Sequence, residues 1–311
     1  MKRKVLQAAP IHPLLKEGLL GMGYELVVAL DISQRSATAR LSDVEGIITS
    51  TRLLLNKELI DAASSLKWIG RMGSGMEVID VEYAERKGIA CFSSPDGNAN
   101  AVGEHALGML LALTRKIVVS NIELKNQEWL REENRGMELE GKTIGIIGYG
   151  HTGKAFAKKL RGFDVDILVY DKYKQDATDE DIDFCEDLQR IYEQADILSF
   201  HVPLRYDTLH YFNKEMLSRF QKPIILINTS RGNVVEIQAL REGLQTGKLK
   251  GVCLDVFDEE PLEKMSPDVR EIFMHIATLP NAVLTPHIAG YTQEALYKMS
   301  KILLERIVTY V

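Results

Sequence analysis

Cysteine is scarce in this chain: there are three, Cys91, Cys185 and Cys253, and no two share a CxxC spacing. An odd, scattered set argues against a disulfide framework and a thiolate metal site, and fits a reducing cytoplasm. No HExxH or carboxylate–histidine spacing is present, so no metal is expected. GxSxG is missing too, which leaves a serine hydrolase unsupported. No segment approaches the roughly 18 apolar residues of a membrane span; the longest apolar run lies around Leu107–Leu113. The start, MKRKVLQAAPIHP, has a basic opening, but Gln7, Pro10, His12 and Pro13 break up the apolar residues beyond it. It reads as a strand rather than a secretory signal. Positive charge is not in excess: 38 Lys and Arg face 44 Asp and Glu, a net charge of -6. That opposes general binding to nucleic acid and leaves an anionic ligand dependent on locally placed cations. Neither nucleic acid nor membrane is therefore expected as a partner.

What is present is ordinary globular material. Of 311 residues, 45% are hydrophobic and 26% charged, and the length suits two domains. Short apolar runs at Lys4–Ala8, Glu25–Ala29, Gly46–Ser50, Leu66–Arg71 and Ile89–Phe92 read as strands. Helical stretches at Pro13–Leu20, Lys57–Ala63 and Val81–Lys87 alternate with them, which implies a mostly parallel sheet. One long helix is expected over Ala101–Val118. The charged stretch Asn121–Glu140 reads equally as a solvated linker or a subunit contact. Strands then come at Thr143–Ile147, Asp166–Tyr170, Ile197–Phe200, Ile224–Ile227, Val252–Val256 and Val283–Thr285. Helices fit Lys154–Arg161, Asp187–Glu193, Lys214–Phe220, Ile237–Thr246 and Thr292–Val308.

The strongest motif is GKTIGIIGYGHTGKAFAKKLRGFDVDILVYD, residues 141–171. An apolar strand runs into Gly148-Tyr-Gly150-His-Thr-Gly153, a helix follows, and a second strand ends at Asp171. Gly148 suits the tight turn, Gly150 the approach of a pyrophosphate, and Gly153 close helix–sheet packing. The helix N-terminus offers N–H groups and partial positive charge to phosphates. Asp171 lies 18 residues past Gly153, near the expected spacing of about 20, where a carboxylate accepts from a ribose diol and repels a 2′-phosphate. That favours NAD, although Lys172 and Lys174 stand where they could tolerate the extra phosphate. Some 140 residues of another α/β layer precede this unit, so the first half of the chain should supply one wall of a cleft.

Open parallel sheets bind ligands at the carboxyl ends of their strands. There lie Thr229-Ser-Arg231-Gly232, Asp258-Glu-Glu260-Pro261 and Pro286-His287-Ile-Ala-Gly290. Taken singly, each has an ordinary reading: Arg231 in a surface loop, Glu260 capping a helix, His287 in a turn. Glu259 competes with Glu260. At three strand ends of one nucleotide-binding unit, they suit hydride transfer coupled to proton transfer. His287 would be the acid, Glu260 would favour and orient its imidazolium, and Arg231 would fork onto a carboxylate and polarise the carbonyl. His201 comes after a strand and would border the cofactor, and His151 would flank the phosphates. His105 reads as packed or half exposed within a helix. His12, His210 and His275 carry no signal.

The chain resembles the D-isomer-specific 2-hydroxyacid dehydrogenase family over nearly its whole length. The resemblance rests on GIIGYGHTG with Asp171, HVPL at His201–Leu204, NTSRG at Asn228–Gly232, LDVFDEEP at Leu254–Pro261 and TPHIAG at Thr285–Gly290. It implies Arg231, Glu260 and His287 as the catalytic trio and NAD as cofactor. His151, Thr152, His201, Val202, Pro203, Thr229, Ser230 and Gly290 would line the cofactor, and Asp255 would hold the nicotinamide carboxamide. Arg71-Met-Gly73-Ser74-Gly75 looks like the family's substrate loop, whose backbone amides meet the substrate carboxylate.

The family fold implies an α/β chain in which a Rossmann NAD-binding domain, 101–287, is inserted in a flavodoxin-like substrate domain, 1–100 plus 288–311. Crossings near 100 and 287 would act as hinges. Family members are usually dimers, which favours the contact reading of Asn121–Glu140. Among members, the chain looks most like phosphoglycerate dehydrogenases, enzymes of serine biosynthesis. They typically carry an arginine where Ser50 stands, and Arg52 nearby is the substitute for holding a phosphate. No regulatory serine-binding domain is expected after the last helix. A glyoxylate or hydroxypyruvate reductase is the alternative, and a non-enzymatic NAD-sensing regulator is a second, which the intact trio opposes.

Overall fold

The computed structural model describes residues 3–51, 53–174 and 181–311. Two compact units divide the chain: Met1–Asn100 with Tyr291–Val311, and Ala101–Gly290.

The first unit is a five-stranded parallel sheet of β1 (Arg3–Gln7), β2 (Tyr24–Val28), β3 (Val44–Thr49), β4 (Trp68–Arg71) and β5 (Ala90–Phe92), in the order β2-β1-β3-β4-β5. This is the flavodoxin-like order. Helices α1 (Pro13–Gly21), α2 (Gln34–Ala37), α3 (Lys57–Ala62) and α4 (Val81–Arg86) connect the strands. Pro13 opens α1 with its φ already helical, and His12 Nδ1 accepts the Leu14 N–H at 3.2 Å. Leu6, Ile47, Leu53, Leu59 and Ile69 fill one core. The C-terminal helix, Gln293–Tyr310, returns to this unit. Its buried Ser300 Oγ accepts the His12 N–H at 2.9 Å, and Leu304 packs where Gly18 leaves room for it.

Helix α5 (Pro95–Thr114) leads into the second unit, and α6 (Ile117–Lys125) comes after it. The single helix expected over Ala101–Val118 is thus two helices. The break falls at Lys116, which takes φ 52°, a left-handed conformation that ends a right-handed helix. The sheet is seven parallel strands in the order β12-β11-β10-β9-β6-β7-β8, the doubly wound order with one added strand. They are β6 (Thr143–Ile147), β7 (Asp166–Tyr170), β8 (Asp183–Phe184), β9 (Ile197–Phe200), β10 (Ile224–Asn228), β11 (Leu249–Leu254) and β12 (Ala282–Leu284). Helices α7 (His151–Leu160), α8 (Gln189–Gln194), α9 (Lys214–Arg219), α10 (Ile237–Gln245) and α11 (Pro267–Ala277) cover it. Along β10, Ile224 and Leu226 face one core with Phe200 and Phe220, while Ile225 and Ile227 face another with Ile146 and Phe156. Burial on both faces is why these strands are unbroken apolar runs in sequence. Strand order reverses between β6 and β9, so the glycine turn after β6 opens at the switch point.

Candidate active site

The turn after β6 requires two of its glycines for reasons internal to the protein. Gly148 takes φ 94°, and a Cβ there would lie 2.5 Å from the His201 carbonyl oxygen. A Cβ on Gly153 would lie 2.1 Å from the Gly148 carbonyl oxygen. Gly150 differs. It is the N-cap of α7, has no side-chain cap, and nothing stands within 4 Å of where its Cβ would be. The open space lies over the first turn of a ten-residue helix, whose leading N–H groups have no intrahelical acceptor. A phosphate fits there, and a methyl group would occupy its approach.

Asp171, at the end of β7, ties the turn down. Its Oδ2 accepts the Tyr149 N–H at 2.6 Å and its Oδ1 the Tyr173 N–H at 2.9 Å. Both neighbouring lysines are engaged: Lys172 Nζ lies 2.6 Å from Asp207, and Lys174 Nζ donates to the Tyr149 carbonyl at 3.0 Å. His151 and Thr152 form the first turn of α7.

His201 is buried. Its Nε2 lies 2.9 Å from Ser199 Oγ, its ring lies 5.4 Å from that of Phe156, and its Nδ1 has no partner. Burial drives its pKa down to about 3, so the ring is neutral. It supports the glycine turn from beneath; the adjoining Val202 is half-buried and Pro203 exposed.

After β10, Asn228 shapes the next loop. Its Oδ1 accepts the Ser230 N–H at 3.1 Å and hydroxyl at 2.8 Å, and its Nδ2 donates to the Arg231 carbonyl at 2.9 Å. Thr229 is buried with no partner for its hydroxyl, a polar atom suited to a bound group. Arg231 Nη1 donates to the Ser230 carbonyl at 2.7 Å. Gly232 then meets the loop after β11 so closely that a Cβ would fall 1.9 Å from the Phe257 carbonyl group. Asn228 and Gly232 shape this loop; their place in the NTSRG motif was legible, their tasks were not.

The loops after β11 and β12 bring a carboxylate and an imidazole together. Glu260 Oε1 accepts the Phe257 N–H at 2.8 Å, and Oε2 lies 2.7 Å from His287 Nδ1. Glu259 is used elsewhere: its carboxylate accepts the Ser266 N–H and, at 3.1 Å, the Ser266 hydroxyl at the N-cap of α11. His287 takes φ 55°, and its N–H donates to the Asp255 carbonyl at 2.8 Å. Asp255 itself is fully buried. Its carboxylate accepts Ile288 N–H at 2.9 Å, Ala289 N–H at 2.8 Å and the Thr285 hydroxyl at 2.5 Å. The resemblance assigns Asp255 to a nicotinamide carboxamide; both its oxygens here hold the turn that carries His287. Gly290 closes this turn, half-buried.

In the first unit, Gly73 takes φ 145° beside the buried Arg71, whose Nη1 donates to the Met72 carbonyl at 2.5 Å. Buried Ser94 Oγ accepts the Gly73 N–H at 3.0 Å. Ser74 is exposed and Gly75 half-buried. Arg52 lies outside the described residues. Among the described residues, no cluster of histidine, cysteine or carboxylate groups could hold a metal ion, and no helix is long and apolar enough to cross a membrane.

A sequence model described as D-isomer specific 2-hydroxyacid dehydrogenase, NAD binding domain, matches residues 107–289. A D-3-phosphoglycerate dehydrogenase of Methanocaldococcus jannaschii is 33% identical over 306 residues, which are 98% of this chain and 56% of that protein. The chain thus spans little more than half the length of such relatives. A hydroxypyruvate reductase of Thermotoga maritima is 34% identical over 267 residues, 86% of this chain and 85% of that one. The crystal structure of D-lactate dehydrogenase from Aquifex aeolicus, complexed with NAD and lactic acid, is similar with a TM-score of 0.85 and 26% identity. The match covers 99% of this chain and 95% of that one. The matched span contains the glycine turn, Asp171 and the strand-end loops, so the second unit is an NAD-binding domain. The chain belongs to the D-isomer specific 2-hydroxyacid dehydrogenase family.

Proposed function

We propose that the protein catalyses reversible, NAD-dependent oxidation of a D-2-hydroxy acid to a 2-oxo acid, with Arg231, Glu260 and His287 as its catalytic residues. The observation that carries this is the 2.7 Å contact between Glu260 Oε2 and His287 Nδ1, at strand ends of the NAD-binding domain. An ionised carboxylate only accepts, so Nδ1 bears a proton and Nε2 is the nitrogen left for substrate. In the reductive direction protonated His287 gives a proton from Nε2 to the carbonyl oxygen; in the oxidative direction the same nitrogen takes it from the hydroxyl. Arg231 neutralises the substrate carboxylate and polarises the carbonyl. NAD, when bound, supplies or accepts the hydride.

Gly148, Gly150, His151, Thr152 and Gly153 would hold the pyrophosphate and Asp171 the adenosine ribose. Val202, Pro203, Thr229, Ser230 and Gly290 would line the remainder. Pairing of Lys172 with the Asp207 carboxylate supports NAD over NADP, because it offsets a charge that would otherwise face a 2′-phosphate. In the first unit, the backbone of Gly73–Gly75 would offer N–H groups to a substrate carboxylate. The first unit would then be the substrate-binding domain, with Arg231 and His287 reaching the substrate from the second.

A phosphoglycerate dehydrogenase-like reaction, hence a place in serine biosynthesis, is the leading substrate reading, with Arg52 as the phosphate's cation. Ser50, where those enzymes typically carry arginine, supports the alternative of a glyoxylate or hydroxypyruvate reductase. A homodimer is supported by the exposed apolar side chains Ile117, Ile122, Leu124 and Trp129 on and just after α6. Free thiols at Cys91, Cys185 and Cys253 support a cytoplasmic setting.

The test is NADH oxidation with phosphohydroxypyruvate, hydroxypyruvate, glyoxylate and pyruvate. Turnover of phosphohydroxypyruvate above the others supports the leading reading, and preference for glyoxylate or hydroxypyruvate the alternative. NADH binding with no turnover of any acid overturns the enzymatic reading in favour of an NAD sensor.

A further inference from the structure

We propose that His105, on α5, is a positioning residue for the His287 acid–base group, acting through Thr285 and Asp255; this rests on the role given to His287 above. His105 Nε2 lies 3.0 Å from Thr285 Oγ1 and 3.6 Å from Asp255 Oδ1. The direction of every bond in this relay is set by its buried end. Asp255 is enclosed, and as a carboxylate it accepts and cannot donate. The Thr285 hydroxyl therefore gives its proton to Oδ1, at 2.5 Å. Its oxygen is then the acceptor, and His105 must carry its proton on Nε2.

The other end of the relay reaches the catalytic turn. The same Oδ1 accepts the Ile288 N–H at 2.9 Å, and Oδ2 the Ala289 N–H at 2.8 Å. These are the two residues after His287, whose φ of 55° is a costly conformation for a side chain other than glycine. Such a conformation persists only where its surroundings fix it, and here the buried carboxylate does so. His105 donates into this carboxylate's network from a helix outside the strand-end loops. Among the described residues no hydrogen bond or ion pair joins it to Glu260 or His287, so its effect on the reaction passes through the orientation of Asp255.

The test uses the full chain, labelled with nitrogen-15 in histidine, and two variants. His105→Phe keeps a flat ring and removes the donor; His105→Gln keeps an N–H on a side chain of similar reach. The expected results begin with a nitrogen spectrum in which the His105 ring is protonated at Nε2. In His105→Phe, amide hydrogen exchange at Ile288 and Ala289 accelerates about tenfold. With a 2-oxo acid that the wild type reduces, its kcat falls about tenfold while the Kd for NADH stays unchanged. His105→Gln restores most of both losses. A His105 ring protonated only at Nδ1 overturns the proposal. So does a His105→Phe protein with unchanged exchange at both amides, or a folded His105→Gln protein as impaired as His105→Phe. If the wild type reduces no 2-oxo acid, the reading of the function fails, whereas the spectrum and the exchange rates still decide whether His105 positions the turn.

Discussion

Glu260 and His287 come from loops on neighbouring strands, and one oxygen of the carboxylate lies 2.7 Å from imidazole Nδ1 while the other is pinned at 2.8 Å by the Phe257 N–H. Pinning both oxygens fixes the plane of the carboxylate, and that fixes the ring facing it. The pair lies partly in solvent, with His287 39% and Glu260 31% exposed, so its value is geometric more than a large gain in stability.

Replacing the imidazole would remove the proposed proton donor without touching the glycine turn. His287→Ala is expected to lower kcat by about 10²–10⁴, the usual worth of general acid–base catalysis. Kd for NADH, followed by fluorescence titration, should stay within about twofold, because one exposed side chain contributes little to uniform binding. A wild-type kcat would remove His287 from the mechanism.

Arg231→Gln keeps a planar amide and loses the charge and the fork. We expect kcat/KM for 2-oxo acids to fall about 10–100-fold, the worth of a lost charge-assisted contact. Arg231→Lys should recover only part of it, since an ammonium cannot meet a carboxylate bidentately. Steady-state kinetics on all three proteins, with lysine equal to arginine as the contrary result, decides the point.

Two glycines of the GYGHTG turn separate folding from binding. Gly150→Ala places a methyl group in open space, so thermal stability should hold while Kd for NADH rises about tenfold or more. Gly153→Ala drives a Cβ into the Gly148 carbonyl and should lower Tm by several degrees. Equal NADH affinity in Gly150→Ala and wild type would place the phosphates elsewhere.

Asp171 carries two tasks, since it would select the ribose and it already accepts the Tyr149 and Tyr173 N–H groups. Asp171→Ala should therefore narrow the preference for NADH over NADPH and also loosen the turn, weakening both cofactors. A ratio of kcat/KM values identical to wild type would leave Asp171 with the structural task alone.

His201 predicts a dependence of stability on acid. Burial lowers its folded pKa to about 3, against about 6.5 for an unfolded histidine. Between these values the unfolded chain binds the proton and the folded chain does not. The contribution is thus complete above about pH 6.5 and is lost as the pH falls towards 3. Over two pH units below 6.5 this amounts to about 2–3 kcal/mol. His201→Gln should lack this part of the decline, as read from urea unfolding at pH 4.5 and 7.5. Parallel declines in both proteins would show that the ring is not neutral and buried.

Much of the NAD-binding domain was legible because a strand covered on both faces must be apolar throughout. The runs at Thr143–Ile147, Asp166–Tyr170 and Ile197–Phe200 coincide with β6, β7 and β9. Short α2 and β8 were not legible, nor were three further features. Helix α11 begins at Ser266-Pro267, a start signal that a sequence dense in charge obscures. Helix α5 ends at Thr114 and α6 begins at Ile117, because Lys116 turns left-handed, and lysine gives no local warning of that. The apolar side chains on α6 lie in a stretch whose charge count suggested only solvent or a partner.

Sequence by itself determined the fingerprint: which residues must be glycine, where an acid ends the second strand, and that Arg231, a glutamate and His287 come after strands. Local stereochemistry and the two-residue and 3.6-residue periods suffice for that, because they act between neighbours in the chain. From spacing alone Glu259 competes with Glu260, the family resemblance points to Glu260, and tertiary structure decides which carboxylate meets the imidazole. Glu259 and Glu260 are chemically identical, and only the direction of the backbone after Phe257 sends one to the Ser266 cap and the other to His287. It also decided that Asp255 holds the turn carrying His287 and that His105 meets Thr285, since contacts across 30 or 180 residues are set by packing and leave no periodic trace in the sequence.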